Sequence, residues 1–137
     1  SSDSAEVRAM LLALVPKVES CREALSAQAV GNALYGMQGM SSDSAEVRAM
    51  LLALVPKVES CRMAFATQAD GNALYGMQGM SSDSAEVRAV LLALVPKVES
   101  CREALSAQAV GNALYGMQGM SSDSAEVRAV LLALVPK

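Results

Sequence analysis

Five substitutions interrupt an otherwise nearly uniform sequence, and four of them place the side chains with most to offer a ligand. Met63, Phe65, Thr67 and Asp70 stand where the copy forty residues earlier has Glu23, Leu25, Ala27 and Val30. A flexible thioether and an aromatic ring can anchor in a pocket, while a hydroxyl and a carboxylate supply adjustable polar contacts. That is the chemistry of recognition, not of catalysis. Two readings of the stretch stay open at this point: a varied binding patch on the central unit, or drift, including a fragment spliced into a regular array. The rest of the chain offers little to an enzyme. It has no His, and Cys21, Cys61 and Cys101 recur once per unit without a CxxC pair, so no metal set is implied. No Gly-rich phosphate loop follows a strand, and no carboxylates cluster beside a nucleophile. Ser-Asp-Ser at 2–4 reads as a helix start. The expectation is a non-enzymatic protein without cofactor, metal or small-molecule substrate.

These residues sit in an internal repeat. The unit SSDSAEVRAMLLALVPKVESCREALSAQAVGNALYGMQGM begins at Ser1, Ser41 and Ser81, and a shorter copy runs from Ser121 to Lys137. The repeats are therefore 1–40, 41–80 and 81–120, with a half repeat at 121–137, in one domain covering 1–137. A fixed period of this size marks an array, because one unit cannot bury its own apolar face. The first and third units differ only at Met10 and Val90. Such near-identity fits a consensus-type or engineered array, or a very recent duplication.

The unit divides into two helices. Val7, Met10, Leu11, Leu14, Val15 and Val18 recur at three and four, one face of an α-helix. Asp3 and Glu6 stand at the spacing of a capping box. Pro16 should bend the helix, which is expected over about 4–20. Ser26 is the expected N-cap of the second helix, with Leu25 and Val30 placed as a hydrophobic staple. Its face continues through Leu34, Met37 and Met40, and Gly39 ends it, giving a helix over about 27–38. Gly31, Ala33 and Gly36 are small enough to let another helix come close. The prediction is an all-α fold, an α-solenoid of helix-turn-helix repeats with a 40-residue period and about seven helices, the last of them covering the final second helix. Neighbouring layers lie on the order of 10 Å apart. A disulfide needs Cα atoms within about 7 Å, so the cysteines are expected as reduced, half-buried thiols. Neither end carries a polar capping unit, so end-to-end stacking of copies is expected.

In the middle unit Ala66 removes the Ser26-type cap. Thr67, three residues before Asp70, could cap one residue later. The expectation is that this helix starts late and that Asp70 leaves the core place of Val30, where a charge would be costly.

Composition narrows the partners. Apolar residues make up 53% of the chain and aromatics 3%, and the net charge is −3. The longest apolar run, Ala9 to Pro16, is far short of the roughly 20 residues that span a bilayer. The Ser, Asp and Glu at the start lack the pattern of a secretory signal. The expectation is no membrane, not secreted, and cytoplasmic when expressed recombinantly. No basic stripe of the kind general nucleic-acid binders carry is visible.

One longer pattern adds a competing function. Leu11, Leu12, Ala13, Leu14, Pro16 and Lys17, followed by Ser26, Gln28, Val30, Gly31, Asn32, Leu34, Tyr35, Gly36, Met37 and Met40, resemble the octotricopeptide repeat family and the related repeats of FAST-kinase-like proteins. Tyr stands in the family's Trp place, Gly in its Ala places, and the unit is slightly longer. The resemblance implies an α-solenoid that binds single-stranded RNA, with natural relatives acting in organelles. In that reading Asn32, Tyr35, Asn72, Tyr75, Asn112 and Tyr115 stack on and hydrogen-bond bases, with Arg22, Arg62, Arg102, Lys17 and Arg8 on phosphates. The first reading remains a repeat scaffold that binds a protein, a peptide or its own copies, with Met63, Phe65, Thr67 and Asp70 as the patch.

Overall fold

Ser44, Ser84 and Ser124 each accept a hydrogen bond from the backbone N–H three residues on, and this fixes where the first helix of each unit begins. The same bond runs from Val7 to Ser4. The computed structural model describes residues 4–61, 65–101 and 103–136. The expected cap at Asp3 lies outside them, but its copies correct the expectation. The backbone N–H groups of Asp43, Asp83 and Asp123 donate to the hydroxyls of Ser41, Ser81 and Ser121 in a tight turn, one residue before the true cap. Both Ser and Asp cap well. The turn made by Ser41 leaves the position to Ser44.

Glu46 and Glu86 complete the cap, each accepting from the hydroxyl two residues before it. Their own backbone N–H groups and then those hydroxyls hold both carboxyls below their ordinary value of 4.5. A depressed carboxylate stabilises the fold above its unfolded value, and that contribution is lost as pH falls through the folded value. Glu46→Gln with Glu86→Gln should therefore flatten the fall of Tm with acidification below about pH 5. An acid profile unchanged by the two substitutions would show that these carboxylates do not couple to folding.

Among the described residues the chain is all-α, with seven helices and no strand: α1 Ala5–Ser20, α2 Ala27–Tyr35, α3 Ala45–Ser60, α4 Thr67–Tyr75, α5 Ala85–Glu99, α6 Ala107–Gly116 and α7 Ala125–Leu134. Pro16 lies inside α1, whose helix continues to Ser20. The second helices end earlier than expected. Residues 36–39 form a turn, opened by Gly36 at the C-cap of α2.

Each helix packs most closely on the second helix before or after it, so α1, α3, α5 and α7 form one row and α2, α4 and α6 another. This is the packing pattern of helical repeats. One apolar core lies between the rows, built from Met50, Leu51, Leu54 and Val58 on one side and Val30, Leu34, Leu74 and Met77 on the other. Met10 and Leu14 were expected in that core, yet in α1 they are 63% and 44% exposed, whereas their copies Met50 and Leu54, in α3 packed between α1 and α5, are buried. The last helix also departs from expectation. α7 extends the first row against α5 and leaves the outer face of α6 open, with Leu114 52% exposed.

Polar groups stitch one unit to the next. Ser42 and Ser82 are buried and accept from the backbone N–H groups of Ser81 and Ser121 at 2.9 Å. Lys57 donates to the Cys21 carbonyl at 2.6 Å, and Lys97 donates to that of Cys61. The cysteines are reduced thiols. Cys21 is half-buried as expected, but Cys61 and Cys101 are fully buried.

The second row is unusually tight. A Cβ built on Gly31 would lie 3.3 Å from the Ala69 backbone, and one on Gly71 would lie 3.1 Å from that of Ala109. These glycines are what allow the close approach, as their size suggested.

Candidate binding groove

The tightness of the second row sets the geometry of its outer surface. On each helix of that row, positions i, i+4 and i+7 share a face. In α2 they are Gln28, Asn32 and Tyr35, in α4 Gln68, Asn72 and Tyr75, and in α6 Gln108, Asn112 and Tyr115. The opposite face, with Val30 and Leu34, is buried in the core. Amides and phenols therefore line up across the row. Most of them border one open groove of about 500 Å³, lined by Asn32, Tyr35, Gln68, Asn72, Tyr75, Gln108 and Asn112.

The tyrosines form a stack. Tyr35 and Tyr75 have ring centroids 5.4 Å apart with planes at 24°, and Tyr75 and Tyr115 repeat this at 5.4 Å and 25°. Both faces of Tyr75 are thus covered by protein. Tyr35 and Tyr115 remain partly open, at 39% and 48% exposure. Beyond the stack, the Gln78 side chain donates to that of Gln38 at 3.5 Å.

The residues assigned to RNA contact separate into two groups. Asn32, Tyr35, Asn72, Tyr75 and Asn112 come together in the groove, and Tyr115 stands at the end of their stack. The copies of Arg8 and Lys17 on the first helices have other tasks. Arg48, Arg88 and Arg128, the copies of Arg8, donate to the carbonyls of Ser42, Ser82 and Ser122 at 2.8 Å. Lys57 and Lys97, the copies of Lys17, bind the preceding unit. Arg22 is exposed, while Arg62 and Arg102 fall outside the described residues. Gln28, Gln68 and Gln108 were not singled out from the sequence. Their i+4 and i+7 spacing to Asn and Tyr was the available signal.

Two of the four residues expected as a patch on the middle unit are buried. Met63 lies outside the described residues. Phe65 is only 2% exposed and belongs to the core. Its position faces inward in the first unit too, where Leu25 is packed against the core. Asp70 is 1% exposed and keeps the place of Val30. The late helix start that would have moved it does not occur. α4 begins at Thr67, in the same register as α2, with Ala66 at the N-cap and no side-chain cap bond. A shift of one residue would turn the helix by about 100° and break the contact of Gly71 with Ala109 and of Ala69 with Gly31. Those backbone contacts hold the register against the local capping preference. Of the three described patch residues, only Thr67 borders this surface, between α4 and α6.

A buried carboxylate is costly even when it is paired, and an apolar residue of similar shape often improves stability by about 1–4 kcal/mol. Asp70→Val restores the residue that the first unit carries and should raise the urea midpoint accordingly. A midpoint that falls would mean that the carboxylate holds this site together.

No group of three His, Cys, Asp or Glu among the described residues is placed to hold a metal ion, and no helix is long and apolar enough to cross a membrane. Set against protein-family models, curated proteins and solved structures, the chain gives no match.

Proposed function

We propose that the chain is an α-solenoid of helix-turn-helix repeats that binds an extended peptide along the amide and tyrosine groove of its second row. The observation that carries this reading is the repetition of Gln, Asn and Tyr, one set per unit, with seven of these nine side chains bordering a groove whose described lining carries no charge. A side-chain amide offers a donor and an acceptor side by side, which matches the N–H and C=O of a peptide main chain. Alternate side chains of an extended chain point to one side about 6.6 Å apart, the same-side spacing nearest to the roughly 8–10 Å between packed helix axes. One amide set then meets every second peptide residue.

The resemblance to octotricopeptide repeats supports single-stranded RNA as the second reading. Three features weigh against it. The Arg8-type and Lys17-type cations of the inner units are bonded to backbone carbonyls, the faces of Tyr75 are closed to bases, and the net charge is −3.

The test is selection of short random peptides displayed on phage, followed by fluorescence anisotropy of the recovered peptides. A random single-stranded RNA pool is run beside them at low and moderate salt. Peptide binding should change little with salt. Asn72→Ala with Asn112→Ala should weaken it about ten-fold, the effect of two lost hydrogen bonds of modest net strength. Failure to recover any peptide, or full affinity in the double variant, sinks the reading. RNA binding that drops steeply with salt would replace it.

A further inference from the structure

The groove deepens into two bays, one between α2 and α4 and one between α4 and α6. They are built from equivalent positions forty residues apart, so an ideal repeat would make them alike. They are not alike. The first has a volume of about 410 Å³ and carries Ala27 and Ala66 near the helix starts. The second has about 160 Å³ and carries Thr67 and Ser106 at the same two positions. The amides that line both bays are the same residue types in the same places, so they do not set the two apart.

The whole chemical difference comes from two substitutions in the middle unit. Ala66 stands where the first and third units have Ser26 and Ser106, so the first bay loses a hydroxyl. Thr67 stands where they have Ala27 and Ala107, so the second bay gains a hydroxyl and a branched carbon. Ser106 accepts from the Ala109 backbone N–H and keeps its own proton to donate. An aliphatic side chain entering the second bay would strip water from two hydroxyls without replacing their hydrogen bonds. In the wider first bay it would meet the methyls of Ala27, Ala66 and Ala69.

Resting on the peptide reading above, we infer that Ala66 and Thr67 are specificity-determining residues. They give the groove a direction, so that it takes an extended peptide with an aliphatic side chain in the first bay and a small hydroxyl side chain, two residues away, in the second.

The probes are capped, fluorescein-labelled peptides on a threonine host that differ only in order, Thr-Leu-Thr-Ser-Thr and Thr-Ser-Thr-Leu-Thr, with the Leu-Leu and Ser-Ser forms beside them. The wild-type protein should prefer one mixed order over the other by about ten-fold, and over both uniform forms. Ala66→Ser with Thr67→Ala makes the bays alike and installs residues that the other units carry at those places, so folding is not at stake. That variant should bind the two mixed orders within about two-fold of each other. Wild-type binding without an order preference overturns this inference and leaves the peptide reading intact. So does a preference that persists in the double variant. Absence of binding to any of the peptides removes the peptide reading and this inference with it.

Discussion

Gly76→Ala should destabilise the protein by about 3 kcal/mol, the upper end for forcing an extra carbon into a packed site. The added Cβ would overlap the Leu34 carbonyl and lie 2.7 Å from the Tyr35 backbone nitrogen. Backbone atoms cannot rotate out of the way as the end of a side chain can, so α2 and α4 would have to separate. Separation opens the Tyr35–Tyr75 stack and the Gly31–Ala69 contact, so the cost spreads beyond one site. The repeat supplies its own controls. A Cβ on Gly36 meets nothing nearer than a carbonyl of its own helix at 3.4 Å, and one on Gly111 meets open space within 4 Å. Gly111→Ala lies inside a helix and should gain about 0.5–1 kcal/mol from helix propensity alone. Urea denaturation of the three variants compares one chemical change in three surroundings. If Gly76→Ala proved as mild as Gly36→Ala, the spacing of the second row would be wider than described, and the bays with it.

Phe65→Ala should cost about 3–5 kcal/mol, as expected for emptying a buried aromatic site. In the first unit the corresponding Leu25 borders an apolar cavity of about 280 Å³, together with Val18, Cys21, Ala29, Ala33 and Leu54. Leu25 is only half-buried, and so is Leu105 in the third unit, which has a unit before it. Phe65 is fully buried, and the positions around it that correspond to the cavity lining, Val58, Cys61, Ala69, Ala73 and Leu94, are at most 9% exposed. The larger ring thus fills space that leucine leaves. Phe65→Leu should show a smaller loss, about 1–2 kcal/mol, with the cavity of the first unit reproduced. If Phe65→Ala cost no more than Phe65→Leu, the site would be collapsing around the smaller residue, and the ring would not be supporting the inter-row core.

This bears on what could be read from the sequence. The apolar spacing from Val7 to Val18 gave the long helices directly, because a 3.6-residue period is a local property. Ser26 was recognised as a cap for the same reason, and its hydroxyl accepts from the Ala29 N–H at 3.1 Å. The misplaced features depend on neighbours. Whether Asp43 or Ser44 caps α3 turns on which hydroxyl makes the preceding bend, and both residues suit the role. The register of α4 is held by glycine contacts to α2 and α6, which no local window contains, so Thr67 and Asp70 were given a cap that does not form. Asn32 and Tyr35 were identified as candidate contacts, but Gln28 was passed over. Its value appears only when three helices lie side by side. The inward position of Phe65 was legible from Leu25, its staple-forming counterpart, yet the attraction of a lone aromatic as a surface anchor concealed it.

Because each helix leans on the second helix before and after it, cohesion runs along the chain in links between adjacent units, and no distant contact closes the structure. Adding a unit adds one more link of the same kind without lengthening the loops that folding must close. Such a molecule opens like a zipper at its weakest link, whatever the total of the others. We expect that link to be the middle unit, which carries both the buried Asp70 and the uncapped start of α4. Amide hydrogen exchange should therefore show a dip in protection at residues 66–70, inside the array. Under tension the protein would part there first, into two halves that each still hold an intact outer unit.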